Sequence, residues 1–222
     1  THKWVLEGLF GDCEQVTKTD DLIKSGYLSK FRIKILLCKH APQHFESYHD
    51  EMEYIVEHRG RNNLIKNLVK DIKGNTLVLF NYIEKHGEPL LELINSNIDP
   101  ERKLFFVHGG TDVEDRESVR QITETENNAV ILASYGTFST GINIKRLHNI
   151  IFASPSKSRI RNLQSIGRVL RKGEGKDIAT LYDIADDIGG QNYTLRHLNE
   201  RVNIYNDENF KYEVIKVNLR SS

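Results

Sequence analysis

The chain has 222 residues, 38% of them hydrophobic, which is enough for one substantial core, or for a domain and part of another. Lys and Arg number 31 and Asp and Glu 31, so there is no overall basic excess of the kind that non-specific nucleic-acid binders carry, and any site for a polyanion must be local. Cys13 and Cys38 form neither a CxxC pair nor a metal-ligand spacing with histidine, which argues against a disulfide framework or a metal site; no apolar run nears the roughly 20 residues that span a bilayer, so the expected setting is cytoplasmic with no membrane partner.

The chain begins irregularly. Residues 20–24 have a short helical pattern stopped by Gly26, and 31–38 alternate as a strand. Phe45, Tyr48, Met52 and Ile55 recur at three- and four-residue spacing and predict a helix, and Leu64, Leu68 and Ile72 predict another that ends before Gly74. From residue 76 the pattern changes: short, almost wholly apolar runs at 76–80, 104–107, 129–133, 149–153 and 179–184 read as strands covered on both faces. Helical spacing separates them at 88–94, 113–125 and 158–170, with Asp112 placed to cap the second of these. A helix over 194–205 and a strand over 213–219, expected near an edge, close the chain. Alternating strands and helices predict an α/β fold with a parallel sheet and helices on both faces.

The chemistry concentrates in 158–170. Gln164, Arg168 and Arg171 fall at i, i+4 and i+7, on one helix face, while Leu163, Ile166 and Leu170 form the opposite stripe. Such a helix buries one side against the sheet and presents two guanidiniums together, with Gly167 small enough to allow close approach; two arginines aimed at one point need an anion. The surrounding run is locally basic. Residues 157–176 hold Lys157, Arg159, Arg161, Arg168, Arg171, Lys172 and Lys176 against Glu174, seven minus one, or +6 in a neutral chain.

The run from Gln164 through Gly167 and Arg168 to Arg171 resembles motif VI of superfamily 2 helicases, and other stretches resemble that family's motifs in the right order. Leu77–Asn81 resembles motif IV, His108-Gly109-Gly110 the small motif that touches the nucleic-acid backbone, and Ser134 with Thr140-Gly141-Ile142-Asn143 motif V. All of these follow predicted strand ends, where open α/β sheets place ligands. The resemblance implies the RecA-like C-terminal domain of an ATP-dependent DNA helicase, nearest to phage recombination helicases, that unwinds or branch-migrates branched DNA and R-loops in recombination, replication and repair. It implies that Arg168 and Arg171, with Gln164, are arginine fingers. Gly141, Asn143 and Gly167 would meet the nucleotide, and Asn81, His108, Gly109, Ser134 and Thr140 the nucleic acid. At Asn143 the family usually has Asp; Asn still accepts a hydrogen bond from a ribose hydroxyl.

No G-x-x-x-x-G-K-[ST] phosphate loop and no strand-end Asp-Glu pair occur in the 222 residues. The resemblance therefore implies that ATP with Mg²⁺ is bound mainly by a preceding RecA-like domain, that residues 1–40 are that domain's tail and linker, that 41–222 are the C-terminal helicase domain, and that the chain alone is inactive. Its expected partners are that domain and single-stranded or branched DNA, with RNA–DNA hybrid as a further possibility. A RecA-like module that binds nucleic acid or protein without catalysis is the alternative reading.

Overall fold

The computed structural model describes residues 13–17, 31–109, 117, 121, 125–139, 147–155 and 179–219. Its strands are β1 (Cys13–Thr17), β2 (Phe31–Lys39), β3 (Thr76–Phe80), β4 (Leu104–Val107), β5 (Val130–Ser134), β6 (Asn149–Phe152), β7 (Ala179–Asp187) and β8 (Lys211–Asn218). They form one sheet in the order β1-β8-β2-β7-β6-β3-β5-β4, parallel throughout except for β1, which runs antiparallel to β8 at one edge. The last strand is thus inside the sheet, between β1 and β2, rather than at the edge.

The described helices are α1 (Tyr48–Glu57), α2 (Arg59–Asp71), α3 (Glu88–Asn95), α4 (Tyr135–Ser139) and α5 (Tyr193–Asp207), with one π-helical turn over Ile83–Gly87 running into α3. Successive side chains of a strand point to opposite faces, and the core divides accordingly. Leu77 and Leu79 of β3 and Ile33 and Ile35 of β2 pack on the α5 side with Leu198 and Tyr205. Val78 and Phe80, with Leu36 and Cys38, pack on the other side against Leu64, Ile65, Leu68 and Val69 of α2 and Leu90 and Ile94 of α3. Helices therefore cover both faces, as the continuous apolar strand runs require.

Local chemistry explains the boundaries. Ser47 Oγ accepts the Asp50 amide at 3.1 Å at the start of α1, and His58 Nδ1 accepts the Arg61 amide at 3.1 Å at the start of α2. After α2 the chain turns through Gly74 at φ +101°, where an added Cβ would lie 2.7 Å from the His148 side chain, so only glycine fits.

β2, which falls within the stretch 1–40 expected to be a preceding domain's tail and linker, pairs in parallel with β7 over its full length and with β8 over Arg32 to Lys39, and β1 joins the same sheet beside β8. The predicted short helix at 20–24 and the helix at 158–170 lie outside the described residues; of 113–125 only Glu117, Gln121 and Thr125 are described, each helical.

Candidate functional site

Strand register determines what meets at the carboxyl edge. Phe80 is paired with Ser134, Leu79 with Phe152, and Val107 with Ala133, so β6, β3, β5 and β4 end side by side. Neighbouring strands lie about 4.8 Å apart, so the four ends span roughly 15 Å. Asn81, Ser134 and His108, three residues predicted to touch nucleic acid, leave adjacent ends of this row.

They differ in what holds them. The Asn81 side chain is exposed while its backbone amide donates to Ser154 Oγ at 3.1 Å. His108 packs its ring on Phe106 at 5.3 Å between centroids, and an added Cβ on the adjacent Gly109 would meet no protein atom, leaving open space at that turn. Ser134, 8% exposed, accepts the Thr137 amide at 3.2 Å and pairs with the Thr137 hydroxyl at 2.7 Å, so its side chain caps the short α4. Thr140, Gly141, Asn143, Gln164, Gly167, Arg168 and Arg171 lie outside the described residues.

Behind the edge lies a buried polar network that sequence reasoning missed. Asn62 Nδ2 donates to the Val56 carbonyl at 2.9 Å, which turns Asn62 Oδ1 toward His86 Nε2 at 2.8 Å. Nε2 must therefore carry the proton. Burial, reinforced by the Arg61 guanidinium, pushes the His86 imidazole down to about 3, so the ring is neutral at physiological pH and Nδ1 is an acceptor. The Ser154 hydroxyl donates to that Nδ1, leaving Ser154 Oγ to accept the Asn81 amide. Gly87 makes the packing possible, since an added Cβ there would lie 2.6 Å from the Phe80 ring.

Beside it, Arg61, fully buried, donates through Nε to Asp186 Oδ1 at 2.8 Å and through Nη1 to the carbonyl of Ala153. His40 Nε2 meets the same carboxylate oxygen at 2.7 Å. Burial alone would raise the Asp186 carboxyl; Arg61 and His40 outweigh it and hold the group at about 2. A second buried pair, Arg201 with Asp183 at 2.7 and 2.9 Å, ties α5 to β7. Some of this was readable: Asp183 and Asp186 interrupt an apolar strand, and Arg61 lies three and seven residues before Leu64 and Leu68, on the buried stripe of α2. Nothing in the sequence marks His86 or Ser154.

A cavity of about 460 Å³ opens at the ends of β2 and β7, lined by Pro42, Phe45, Gln191, Tyr193 and Arg196 among others, and contains none of the predicted site residues. Its most polar wall, the N-terminus of α5, is already neutralised: Glu51 accepts the Tyr193 amide at 2.9 Å and the Thr194 amide at 2.7 Å.

A parallel sheet covered on both faces, with its candidate contacts in register along one carboxyl edge, is the second RecA-like domain of a superfamily 2 helicase. Residues 60–173 match the helicase conserved C-terminal domain, and the chain belongs to that family. It is similar to the ATP-dependent DNA helicase uvsW of Enterobacteria phage T4, with 33% identity over 234 residues covering 96% of this chain and 46% of that protein. The chain thus spans about half the length of the curated relative it matches. The crystal structure of T4 UvsW has a TM-score of 0.73 at 33% identity over 86% of this chain and 42% of that one. The C-terminal domain of the DEAD-box protein Dbp5 shares the fold, with a TM-score of 0.56 at 12% identity over 81% of this chain and 89% of that one. No helix among the described residues is long and apolar enough to cross a membrane.

Proposed function

We propose that this chain is the C-terminal half of an ATP-dependent DNA helicase that unwinds or branch-migrates DNA, including branched DNA and R-loops, in recombination, replication and repair in the cytoplasm of a phage-infected cell. The observation that carries this reading is the row of strand ends at which Asn81, Ser134 and His108 stand side by side, in a chain similar to an ATP-dependent DNA helicase. Contacts at such ends come from short polar side chains and backbone amides, which suit phosphate and sugar oxygens rather than base edges, so the grip is independent of sequence.

The candidate nucleotide contacts fit ATP by donor chemistry. Arg168, Arg171 and Gln164 supply guanidinium and amide donors, and Gly141, Asn143 and Gly167 supply close backbone and a hydroxyl acceptor; all suit phosphate and ribose. Mg²⁺ prefers carboxylate and hydroxyl oxygens with water, which we assign to a preceding RecA-like domain. ATP, when bound, supplies the phosphoryl group whose transfer to water drives movement. Arg168 and Arg171 orient toward the charge that develops on the transferred group, and the two domains close as they do so. Thr140 grips the strand beside Ser134.

Equilibrium binding tests the reading. The full-length protein should bind single-stranded and branched DNA with an affinity that falls about 10³-fold or more between 50 and 200 mM salt if six or more phosphates are contacted. Tight binding of a free sugar nucleotide with no affinity for DNA would instead mark a doubly wound sugar-nucleotide enzyme.

A further inference from the structure

Ser154 is the second residue past β6 and precedes in the chain the segment that carries the predicted arginine fingers. Five separate groups fix it and the residue before it. The Ala153 and Ser154 amides donate to the Leu79 carbonyl of β3 at 2.9 and 3.4 Å. Arg61 of α2 donates to the Ala153 carbonyl, and the Tyr135 hydroxyl, at the start of α4 just past the end of β5, donates to the Ser154 carbonyl at 2.8 Å. The Ser154 hydroxyl is placed between His86 Nδ1 and the Asn81 amide. Ser154, His86 and Tyr135 are 0, 0 and 2% exposed. A solvent-facing role is thereby closed to Ser154, and a nucleophilic one with it, although Ser, His and Asn line up as a nucleophile, base and orienter would.

What this arrangement does is join three strand ends that the proposed function uses separately. Asn81 leaves β3, Tyr135 begins the turn that Ser134 caps at the end of β5, and Ser154, past β6, comes before Arg168 and Arg171 in the sequence. We infer that Ser154 is a positioning residue that locks the nucleic-acid contacts at β3 and β5 to the root of the arginine segment, so that strand occupancy sets the fingers; this rests on the helicase reading above. The donor directions make the lock specific. The Asn62 amide orientation forces the His86 tautomer, the tautomer sends the Ser154 hydroxyl proton to Nδ1, and a lone pair of the same oxygen holds the Asn81 amide. Buried and fully paired, the chain of bonds has one satisfied arrangement, and a shift of Asn81 must move Ser154 or break it.

Ser154→Ala and Tyr135→Phe in the full-length protein test this, with ATP turnover measured without DNA and with saturating single-stranded DNA, and amide hydrogen exchange measured at Asn81. For Ser154→Ala, DNA-free turnover should stay within about twofold, DNA stimulation should fall between about tenfold and a hundredfold, and exchange at Asn81 should accelerate as its acceptor is lost. Tyr135→Phe removes one hydroxyl and keeps the ring; it should lose stimulation to a smaller degree. If Ser154→Ala does not fold, Tyr135→Phe decides. Stimulation equal to the parent's, or a parallel fall of both turnovers with the thermal midpoint, would overturn the inference. A parent protein with no DNA stimulation at all would overturn the helicase reading and this inference together, whereas a stimulated parent with an equally stimulated Ser154→Ala overturns this inference alone.

Discussion

Replacing Arg171 with alanine in the full-length protein should lower DNA-stimulated ATP turnover by about 10³- to 10⁵-fold, the range found when a finger of this type is removed. The expectation follows from helix geometry. On a helix, the sequence spacing would put Gln164, Arg168 and Arg171 on the face opposite Leu163, Ile166 and Leu170, so truncating Arg171 would remove donors from the nucleotide side without opening the core. Stability should accordingly change by no more than about 0.5 kcal/mol. Arg171→Lys keeps the charge and loses the planar fork, so it should restore only part of the turnover. Steady-state ATP hydrolysis with a denaturation curve for each variant checks all three points, and unchanged turnover in Arg171→Ala would remove the finger from the account.

The second large effect is on folding. Arg61→Ala should cost about 3 to 5 kcal/mol, the range for leaving one partner of a buried ion pair behind. Asp186 is fully buried, already has Oδ2 without a hydrogen-bond partner, and would keep only His40 on its other oxygen. The Ala153 carbonyl would lose its donor as well. Since domains of this size are stable by only about 5 to 15 kcal/mol, the variant should unfold at much lower urea concentration. Arg59→Ala, two residues earlier and exposed, is the control and should shift stability by about 0.5 kcal/mol or less. A loss below about 1 kcal/mol in Arg61→Ala would contradict the role given to the pair.

The sheet was legible because it is buried on both faces. Runs such as Thr76–Phe80 and Asn149–Phe152 are apolar past their first residue and so have no solvated side, and the structure bounds them within a residue of where the hydrophobic pattern does. Strand order was not legible, because β2, β7 and β8 are brought together by pairings across most of the chain that no local pattern encodes. Of the candidate site, Asn81, His108 and Ser134 are expected from the resemblance to helicase motifs, and the structure puts each at the carboxyl end of an apolar strand. The network that holds the Asn81 amide was not legible, because His86 acquires its role from Asn62 and Ser154, residues 24 and 68 positions away. A buried histidine and an exposed one look alike in sequence. Arg61 shows the opposite case, a charge on an apolar helix stripe whose spacing alone implies a buried partner.

The central claim is that this chain supplies half of a composite ATP site. It is tested most directly by comparing ATP hydrolysis, with and without single-stranded DNA, for the 222-residue chain alone and for the chain joined to the RecA-like domain proposed to precede it. The account predicts no turnover by the chain alone and DNA-stimulated turnover by the joined protein. Hydrolysis by the chain alone, or none by the joined protein in the presence of DNA, would contradict it.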